Sequence, residues 1–403
     1  MTAISAGMSG TEFINAINGL PAISSRSVLN VESYGAVHDG VTDDTEAIQA
    51  AINAAYARGG GVVYFPVGIY IIAGALQRDI DGIDPISQLY IPNKDATETD
   101  RCCVILQGET SPNAGQYFGI WASVPLLQVA SGVILKSTLL STVAYSSIIA
   151  SKGDTGNAVA NINYNQCNIY DISFQVTANA SGATTHGGIN FKYAALTDLR
   201  NINISCANKN VYDTIAPINT CVGIYMPSIN DEVIASAINC TVSTMDAGFF
   251  IGEHSYMQNC HSVACLCGFN FGASYHMNVL NHCSSNWCKY DLYFTASTHV
   301  NIFSFQTEWA DESKWFDSTA TILDSSNYAH GELHYAIVEK DVGFNNSKFT
   351  KTGGANIQCF PISFTAAASF TVSGARDESE GALASLITAL AAKGIIVDET
   401  TAS

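Results

Sequence analysis

One four-residue phrase recurs five times between residues 188 and 294, and it decides the fold: Gly188-Ile-Asn-Phe191, Gly223-Ile-Tyr-Met226, Gly248-Phe-Phe-Ile251, Gly268-Phe-Asn-Phe271 and Asp291-Leu-Tyr-Phe294. The starts lie 35, 25, 20 and 23 residues apart. In every copy the second and fourth positions are large and apolar while the third varies, which is the period of two typical of a strand with one buried face. A unit of this length that recurs around a strand predicts a solenoid in which each β-coil buries the next.

The composition is that of a chain with a large core. Of the 403 residues, 47% are hydrophobic and 13% charged, which disfavours disorder. The formal charge of −18, with 17 basic residues, disfavours nucleic acid and anionic membranes as partners. No apolar run approaches the roughly 18 residues of a membrane span, and the first ten residues lack the pattern of a signal peptide. We therefore expect no membrane insertion and assembly in cytoplasm.

The cysteines follow the period of the phrase. Cys240, Cys260 and Cys283 lie 20 and 23 residues apart, in step with the starts at Gly248, Gly268 and Asp291. This spacing predicts a stack of small buried side chains inside the coil. The other cysteines lack the paired spacing of a zinc site. We expect reduced thiols, no metal and no cofactor.

A second motif covers Asn30 to Tyr70. Asp43 and Glu46 have the spacing of a capping box, an apolar stripe follows, and Gly59 can end the helix. The stripe consists of Ile48, Ala51, Ile52 and Ala55. An amphipathic helix laid over the first coil would cover the open end of a solenoid, which otherwise exposes apolar residues and unpaired backbone.

This stretch closely resembles the opening motif of the pectate-lyase-3-like superfamily, right-handed β-helices found in bacteriophage tailspikes and in some glycan-degrading enzymes. The resemblance is carried by Tyr34-Gly-Ala36, Asp39-Gly-Val-Thr-Asp-Asp-Thr45, Ala47-Ile48, Ala51-Ile52, Gly60-Gly61 and Tyr64-Phe-Pro66 with Gly68 and Tyr70. It implies an all-β, right-handed parallel β-helix with an N-terminal capping helix. The motif is a structural cap, so Asp43 and Asp44 are expected in capping and turn roles.

The chain divides into four parts by pattern. Residues 1–27 are interpreted as a virion-attachment segment, 28–329 as the parallel β-helix and 330–373 as a C-terminal β region after the repeat is lost. Residues 374–403 carry a helical stripe formed by Leu383, Leu386, Ile387 and Leu390. A lone helix of this length is marginal in water, so we expect it to serve oligomerisation or docking.

The variable third positions of the phrase predict a ligand-binding row. Stacked coils lie about 4.8 Å apart, so five residues span roughly 20 Å, the length of a few sugar units. Exposed aromatic rings in line favour binding of sugar faces. The alternative is that this face is buried against a neighbouring copy. The predicted substrate-binding residues are Asn190, Tyr225, Phe250, Asn270 and Tyr293, together with Trp309.

Hydrolysis of a glycan needs two carboxyl groups, about 5 to 5.5 Å apart for retention or 6.5 to 9.5 Å for inversion. Acidic residues near the repeat include Asp246, Glu253, Asp291, Glu308, Asp311 and Glu312. The candidates chosen as catalytic are Glu253, His254, Glu308 and Asp311. The coils from 165 to 330 contain one arginine, Arg200, in an ordinary strand. This disfavours a lyase, so if the protein is a depolymerase, a glycoside hydrolase is the better hypothesis.

These observations predict a phage virion spike or fibre protein that binds a host surface polysaccharide. The sequence leaves open whether it also cleaves that glycan by endo-hydrolysis. The alternatives are a secreted bacterial polysaccharide-degrading enzyme and a structural or adhesive fibre without catalysis. The expected partners are the host glycan, two further copies in a homotrimer, and other virion proteins through the N-terminus.

Overall fold

The protein is represented by a computed structural model. It describes residues 28–77, 87–92, 102–111, 132–141, 143–151, 166–178, 186–192, 194, 196–207, 221–226, 234–252, 254–271, 274–286, 288, 290–294, 298–303, 305–308, 320–324, 330–333, 336–338, 349–352 and 356–359. The predicted segments at 1–27 and 374–403 lie outside these residues.

The described chain forms strands, a 3-10 turn at Val31–Tyr34 and the helix α1 (Thr45–Ala57). The strands are β1 (Val28–Asn30), β2 (Asp39–Asp43), β3 (Gly60–Phe65), β4 (Gly68–Ile72), β5 (Ser87–Ile91), β6 (Cys103–Gly108), β7 (Val133–Ser137), β8 (Ser147–Ser151), β9 (Gln166–Tyr170), β10 (Ile172–Thr177), β11 (Gly187–Asn190), β12 (Leu196–Arg200), β13 (Asn203–Ala207), β14 (Val222–Met226), β15 (Ile234–Ile238), β16 (Thr241–Ser243), β17 (Ala247–Ile251), β18 (Ser255–Gln258), β19 (His261–Val263), β20 (Cys267–Phe271), β21 (Ser274–Asn281), β22 (Ser284–Asn286), β23 (Tyr290–Phe294), β24 (Thr298–Phe303), β25 (Phe305–Glu308), β26 (Ala320–Asp324), β27 (His330–Leu333), β28 (Ala336–Val338), β29 (Phe349–Thr352) and β30 (Asn356–Cys359).

The strands build three parallel sheets that run along the molecule. Sheet A has the order β1-β3-β6-β9-β12-β15-β18-β21-β24-β27-β30, sheet B the order β2-β4-β7-β10-β13-β16-β19-β22-β25-β28, and sheet C the order β5-β8-β11-β14-β17-β20-β23-β26-β29. Each full coil adds one strand to each sheet in turn, and one core runs between the sheets. The predicted parallel β-helix is confirmed.

The recurring phrase forms five successive strands of sheet C, from β11 to β23, in one register. Its second positions stack inside the core, where the rings of Phe249 and Phe269 lie 4.9 Å apart and nearly parallel. The in-register pairing places similar apolar side chains of successive coils against each other. The buried strand face predicted from the period of two is therefore confirmed.

The glycine that opens four copies of the phrase is explained by a close approach between sheets C and B. A Cβ at Gly223 would lie 2.2 Å from Cγ1 of Val242, and one at Gly248 would lie 2.4 Å from Oγ of Ser262. Both neighbours are buried side chains of sheet B. Only a residue without Cβ allows the two sheets to come this close.

A ladder of side chains lines the corner between sheets A and B. Asp171, Asn201, Asn239, Asn259 and His282 each adopt the left-handed conformation, with φ between 51° and 60°. The amide of each asparagine donates to the residue one coil earlier, at 2.8, 3.1 and 2.8 Å along the chain. Asparagine tolerates this backbone conformation and can bond along the stack, so Asn201, Asn239 and Asn259 serve both the turn and the ladder.

The predicted cysteine stack is also present. Cys240, Cys260 and Cys283 are buried free thiols at the start of successive strands of sheet B. Each donates to a backbone carbonyl of the preceding coil, at 3.7, 3.2 and 3.6 Å. Burial, followed by the neighbouring thiols of Cys240 and Cys283, raises the pKa of the Cys260 thiol well above its ordinary value. These residues act as small apolar fillers.

Helix α1 closes the N-terminal end of the coils. Its stripe of Ile48, Ala51, Ile52 and Ala55 is fully buried, and the helix packs against β1, β3, β5 and β6. The helix ends at Ala57, two residues before Gly59, whose φ is 80°. The predicted cap and its C-terminal glycine are confirmed.

The predicted capping box between Asp43 and Glu46 is wrong. Asp44 is the N-cap residue, and no side chain caps the helix. The Asp44 carboxylate instead accepts from the backbone N–H groups of Val37 and His38, at 2.7 and 3.2 Å. Asp43 accepts from the backbone of Thr45, at 3.1 Å. The two carboxylates satisfy turn backbone around the helix start, as expected for a structural role.

The coils continue beyond residue 330. The strands β27 and β30 extend sheet A, β28 extends sheet B and β29 extends sheet C, all in parallel register. Strand pairing therefore persists beyond residue 330, where the phrase is no longer found in the sequence. The placement of a domain boundary at 330 stays a prediction.

Within the described part of the chain, no helix combines the length and apolarity of a membrane span.

A buried polar network lies inside the coils ahead of β11. His186 is fully buried, with Nδ1 3.1 Å from Oγ of Ser146 and Nε2 3.1 Å from Oε1 of Gln88. Oγ of Ser137 donates to the same Gln88 oxygen at 2.6 Å. Burial lowers the pKa of His186 from 6.5 to about 4, because the desolvated ring resists protonation.

His186 should make the fold acid-sensitive. Above pH 6.5 the ring is neutral in both states, and as the pH falls towards 4 the unfolded chain binds a proton that the folded chain does not. The free energy of unfolding should therefore fall by about 3 kcal/mol across this range. Urea titrations at pH 7 and pH 4.5 measure the loss, which should be smaller in H186Q. The variant H282Q, at an exposed turn, is the control; equal losses in H186Q and the native chain would contradict this role.

Replacing a phrase glycine should destabilise the coils, because a Cβ at Gly248 would lie 2.4 Å from Oγ of Ser262 and 2.7 Å from the backbone carbonyl oxygen of Gly268. G248A should cost about 1–3 kcal/mol, because the added methyl group collides with Ser262. S262G removes the opposing hydroxymethyl group, so the double variant should lose less than the sum of the single variants. Denaturant unfolding of all four proteins gives the coupling energy. Strict additivity would show that the glycine is needed for another reason.

Candidate functional site

The predicted ligand-binding row exists as a row. Asn190, Tyr225, Phe250, Asn270 and Tyr293 are successive register partners on sheet C, and their side chains lie outside the main core. The spacing and alternation of the phrase therefore placed these five residues correctly along the helix axis.

The expectation that this row is exposed is wrong for three members. Asn190, Phe250 and Asn270 are 3%, 8% and 0% exposed. Phe250 packs with Val222 and Ala247 in a small apolar cluster outside the coil. The strand period identifies which side chains leave the core, but it cannot show which loops then cover them.

Residues of the loop before β8 supply part of that cover. The ring of Tyr145 stacks on Tyr225 at 5.0 Å, and Tyr225 in turn meets the edge of Phe250 at 4.8 Å. The amide of Asn190 donates to the Tyr145 carbonyl at 3.1 Å and accepts from the Lys192 N–H at 3.1 Å. Tyr225 and Tyr293 remain half-exposed, and a binding role for them stays a prediction.

The structure does not bring the described catalytic candidates together. His254 is a half-buried turn residue between β17 and β18, with φ 51°. Glu308 ends β25 on sheet B and pairs with Asn286. The two residues lie on different sides of the solenoid and two coils apart, about 10 Å along the axis. Glu253, Asp311 and Trp309 lie outside the described residues, and their roles stay predictions.

The acidic residues Asp246 and Asp291 are buried in the coils, at 4% and 6% exposure. Oδ2 of Asp246 accepts from the backbone N–H of Cys221 at 3.1 Å. This contact places the Asp246 carboxylate in the backbone framework between coils, where it bonds peptide rather than ligand.

The outer face of sheet A carries a different set of polar and aromatic side chains, which we term the sheet A face. Its members lie in two adjoining columns, in register over four successive strands from β9 to β18. They are Asn168, which is buried, Asp198, Ser236 and Tyr256 in one column and Tyr170, Arg200 and Gln258 in the other, where Ile238 lies between Arg200 and Gln258.

Asp198 is the centre of the sheet A face. Its Oδ2 accepts from the Tyr170 hydroxyl at 3.1 Å and from Nε of Arg200 at 2.8 Å, and its Oδ1 accepts from Oγ of Ser236 at 2.8 Å. The Asp198 backbone N–H donates to Oδ1 of Asn168 at 3.1 Å. Three successive coils thus hold one carboxylate in place, and its side chain remains 17% exposed.

Arg200 and Tyr170 complete this centre. The guanidinium lies over the Tyr170 ring, 5.8 Å from the centroid, and the Arg200 side chain is 54% exposed. Burial, followed by the neighbouring Asp198 charge, raises the pKa of Tyr170 to about 12, against a smaller opposing effect of Arg200. Tyr170 therefore stays protonated at neutral pH and serves as a donor, not as a base.

The sheet A face continues along the axis beyond Asp198. The Tyr256 hydroxyl donates to Oε1 of Gln258 at 3.0 Å, and the Asn281 amide reaches the same hydroxyl at 3.5 Å. At the other edge, Asp171 accepts from Gln107 at 2.8 Å. The arrangement offers donors, acceptors and an aromatic ring along one line, which suits a ligand rich in hydroxyl groups.

The sequence carries one signal for this face. In Leu196-Thr-Asp-Leu-Arg200 the period of two places Asp198 and Arg200 on the same side of one strand. Arg200 was expected to lie in an ordinary strand, and it lies in β12 beside Asp198. Its ring partner Tyr170 is 30 residues earlier, and Ser236 is 36 residues later, so only coil stacking unites them.

Comparison with known proteins gives the following matches. The sequence model described as "Rhamnogalacturonase A/epimerase, pectate lyase-like" matches residues 28–292. Mannuronan C5-epimerase AlgE5 of Azotobacter vinelandii is 52% identical over 71 residues, which are 17% of this chain and 7% of that protein. The chain thus spans less than a tenth of the length of this curated relative.

The chain is also similar to two solved structures. The surface adhesin PfbA of Streptococcus pneumoniae has a TM-score of 0.45 at 13% identity, covering 83% of this chain and 76% of that one. The tailspike protein of E. coli bacteriophage HK620 has a TM-score of 0.36 at 10% identity, covering 89% and 68%. Because the family match extends over more than half of the 403 residues, this chain belongs to the rhamnogalacturonase A/epimerase, pectate lyase-like family of β-helices, in the superfamily that the motif from Asn30 to Tyr70 resembles.

Proposed function

We propose that the chain binds a polysaccharide along the sheet A face, as the glycan-binding part of a phage spike or fibre. The observation that carries this proposal is the set of exposed and partly exposed charged, amide and aromatic side chains on register-paired strands from Tyr170 to Gln258. The mannuronan epimerases to which the chain is similar act, by name, on a polysaccharide, which supports this class of ligand.

The geometry of the coils suits an extended polymer. Successive strands repeat about every 4.8 Å, so a chain lying along the axis meets similar groups at regular intervals. The sheet A face supplies amide and carboxylate acceptors, the Arg200 donors and the Tyr256 ring within a few such steps. A glycan needs these two kinds of contact, since its hydroxyl groups form hydrogen bonds and its C–H faces pack on aromatic rings.

Binding is favoured over hydrolysis at this face. Cleavage needs a carboxyl group free to give up a proton and a second one at a set distance. Both oxygens of Asp198 accept hydrogen bonds, and Asp171 accepts from Gln107, Ser111 and Asn201. Carboxylates held as acceptors serve to fix neighbouring side chains and a ligand. New reducing ends released from the bound glycan would instead establish the endo-glycosidase alternative.

Binding can be tested on host capsule and lipopolysaccharide preparations immobilised on a sensor surface. R200A and Y256A should each raise the Kd at least about tenfold, because each removes a main contact of the sheet A face. The matched control is Q306A, which changes an exposed side chain on sheet B. This variant should bind as the native chain does. Native-like binding by both variants would overturn the assignment of the face, and failure of the native chain to bind any glycan would overturn the function.

The proposal includes a homotrimer that joins other virion proteins through its N-terminal segment. Light scattering of the purified full chain should then give about three times the chain mass of 42.8 kDa. Tenfold dilution tests whether the assembly is permanent. A mass near that of one chain at all concentrations would remove the trimer from the proposal, and glycan binding by a monomer would leave the ligand assignment intact.

A further inference from the structure

We infer that the sheet A face recognises a neutral sugar unit, whose adjacent hydroxyl groups contact Asp198 and Arg200 together. The inference rests on the proposed polysaccharide binding and specifies the chemical class of the unit at its centre. It follows from the local charge, from the hydrogen-bonding capacity left at the pair, and from the position of Tyr256.

The local charge disfavours an acidic sugar. Nε of Arg200 lies 2.8 Å from Oδ2 of Asp198, so the cation of this face is already paired. Asp171, at the corner beside Tyr170, adds a further negative charge, and the whole chain has a formal charge of −18. A uronate or sulfate placed here would face one paired cation and two carboxylates, with a net repulsion.

The hydrogen-bonding capacity left at the pair matches a diol. A carboxylate offers about four acceptor positions, and three donors already occupy Asp198. In the described part of the chain, the two Nη nitrogens of Arg200 have no hydrogen-bond partner, and the side chain is half exposed. One hydroxyl can donate to the remaining position on Asp198 while its neighbour accepts from Nη of Arg200. A carboxylate has no proton to donate and would satisfy only Arg200.

Tyr256 fixes the next contact along the polymer. It follows Asp198 and Ser236 in the same column, so it lies two coil steps away, about 10 Å along the axis. Its hydroxyl is held by Gln258 and Asn281, which sets the position of the ring. A polymer whose diol sits on Asp198 and Arg200 would therefore place a later unit against the half-exposed Tyr256.

A matched pair of ligands tests the inference. Oligosaccharides from a bound uronate-containing glycan are compared with the same oligosaccharides after chemical reduction of their carboxyl groups to alcohols. The neutral form should bind at least about fivefold tighter to the native chain, and its Kd should change less than twofold between low and high salt, because no net charge is neutralised. Tighter, salt-sensitive binding of the acidic form would overturn the inference.

The variants D198N and R200K should affect the affinity for neutral and acidic ligands differently. D198N should weaken binding of the neutral ligand about tenfold, since it removes a charged acceptor. An acidic ligand would bind D198N more tightly, because a like charge has gone. R200K keeps the charge but loses the planar donor pair, so it should weaken the diol about tenfold while a merely ionic contact would survive. Thermal unfolding shows whether each variant is folded. If D198N does not fold, R200K still tests the inference.

The failures of the two proposals are distinguishable. If neither oligosaccharide binds the native chain, the proposed polysaccharide function fails and the question of charge does not arise. If the acidic form binds, if its binding depends on Arg200 and if D198N lowers its Kd, the proposed function stands and the neutral-sugar inference fails. Native-like binding of the neutral form by both D198N and R200K would place the sugar on another face, against the inference.

Discussion

The structure depends on the contact between sheets C and B, where the glycine that opens four of the five phrases approaches buried side chains of sheet B too closely for a Cβ. Glycine at 188, 223, 248 and 268 makes this contact compatible with Ile204, Val242, Ser262 and Ser285. This contact sets the cross-section of the coil, because the two sheets can approach each other this closely only at residues without a Cβ. The rest of the interior, with stacked Phe249 and Phe269 and the cysteine column, fills the space that this approach leaves.

The same constraint separates the interior from the exterior of each strand. Each inward position must pack against its counterpart one coil away, as Phe249 does against Phe269, and the corner residues Asn201, Asn239 and Asn259 must bond along the stack. Outward positions carry no such requirement. They can differ from coil to coil, and sheet A uses this freedom to assemble Tyr170, Asp198, Arg200 and Ser236 from three strands. Sheet C uses it to build a covered apolar cluster around Phe250.

A solenoid therefore links stability and binding differently from a globular enzyme. The hydrogen bonds that hold Asp198 also hold neighbouring coils together, so the pieces of the sheet A face are fixed before any ligand arrives. Preorganised groups lose little freedom on binding, which favours affinity for a long ligand through many modest contacts. The proposed polysaccharide binding and its preference for a neutral unit both follow from this arrangement, in which charge is paired within the protein and hydroxyl-matching groups remain available.

The sequence by itself determined the coil. A period of two within the phrase, a longer period between its copies and the motif from Asn30 to Tyr70 were sufficient for the parallel β-helix, the helical cap and the buried cysteines, because these depend on local alternation and on repeats along the chain. The tertiary structure alone decided which outward side chains remain accessible and which of them meet. Asn190 and Ser236 both point away from the core, but the loop residue Tyr145, distant in sequence, meets the first, and stacking brings the second to Asp198. The alternation of residues within a strand does not show which loop will cover that strand or which strands will lie beside it. For this reason the fold could be predicted and the site could not.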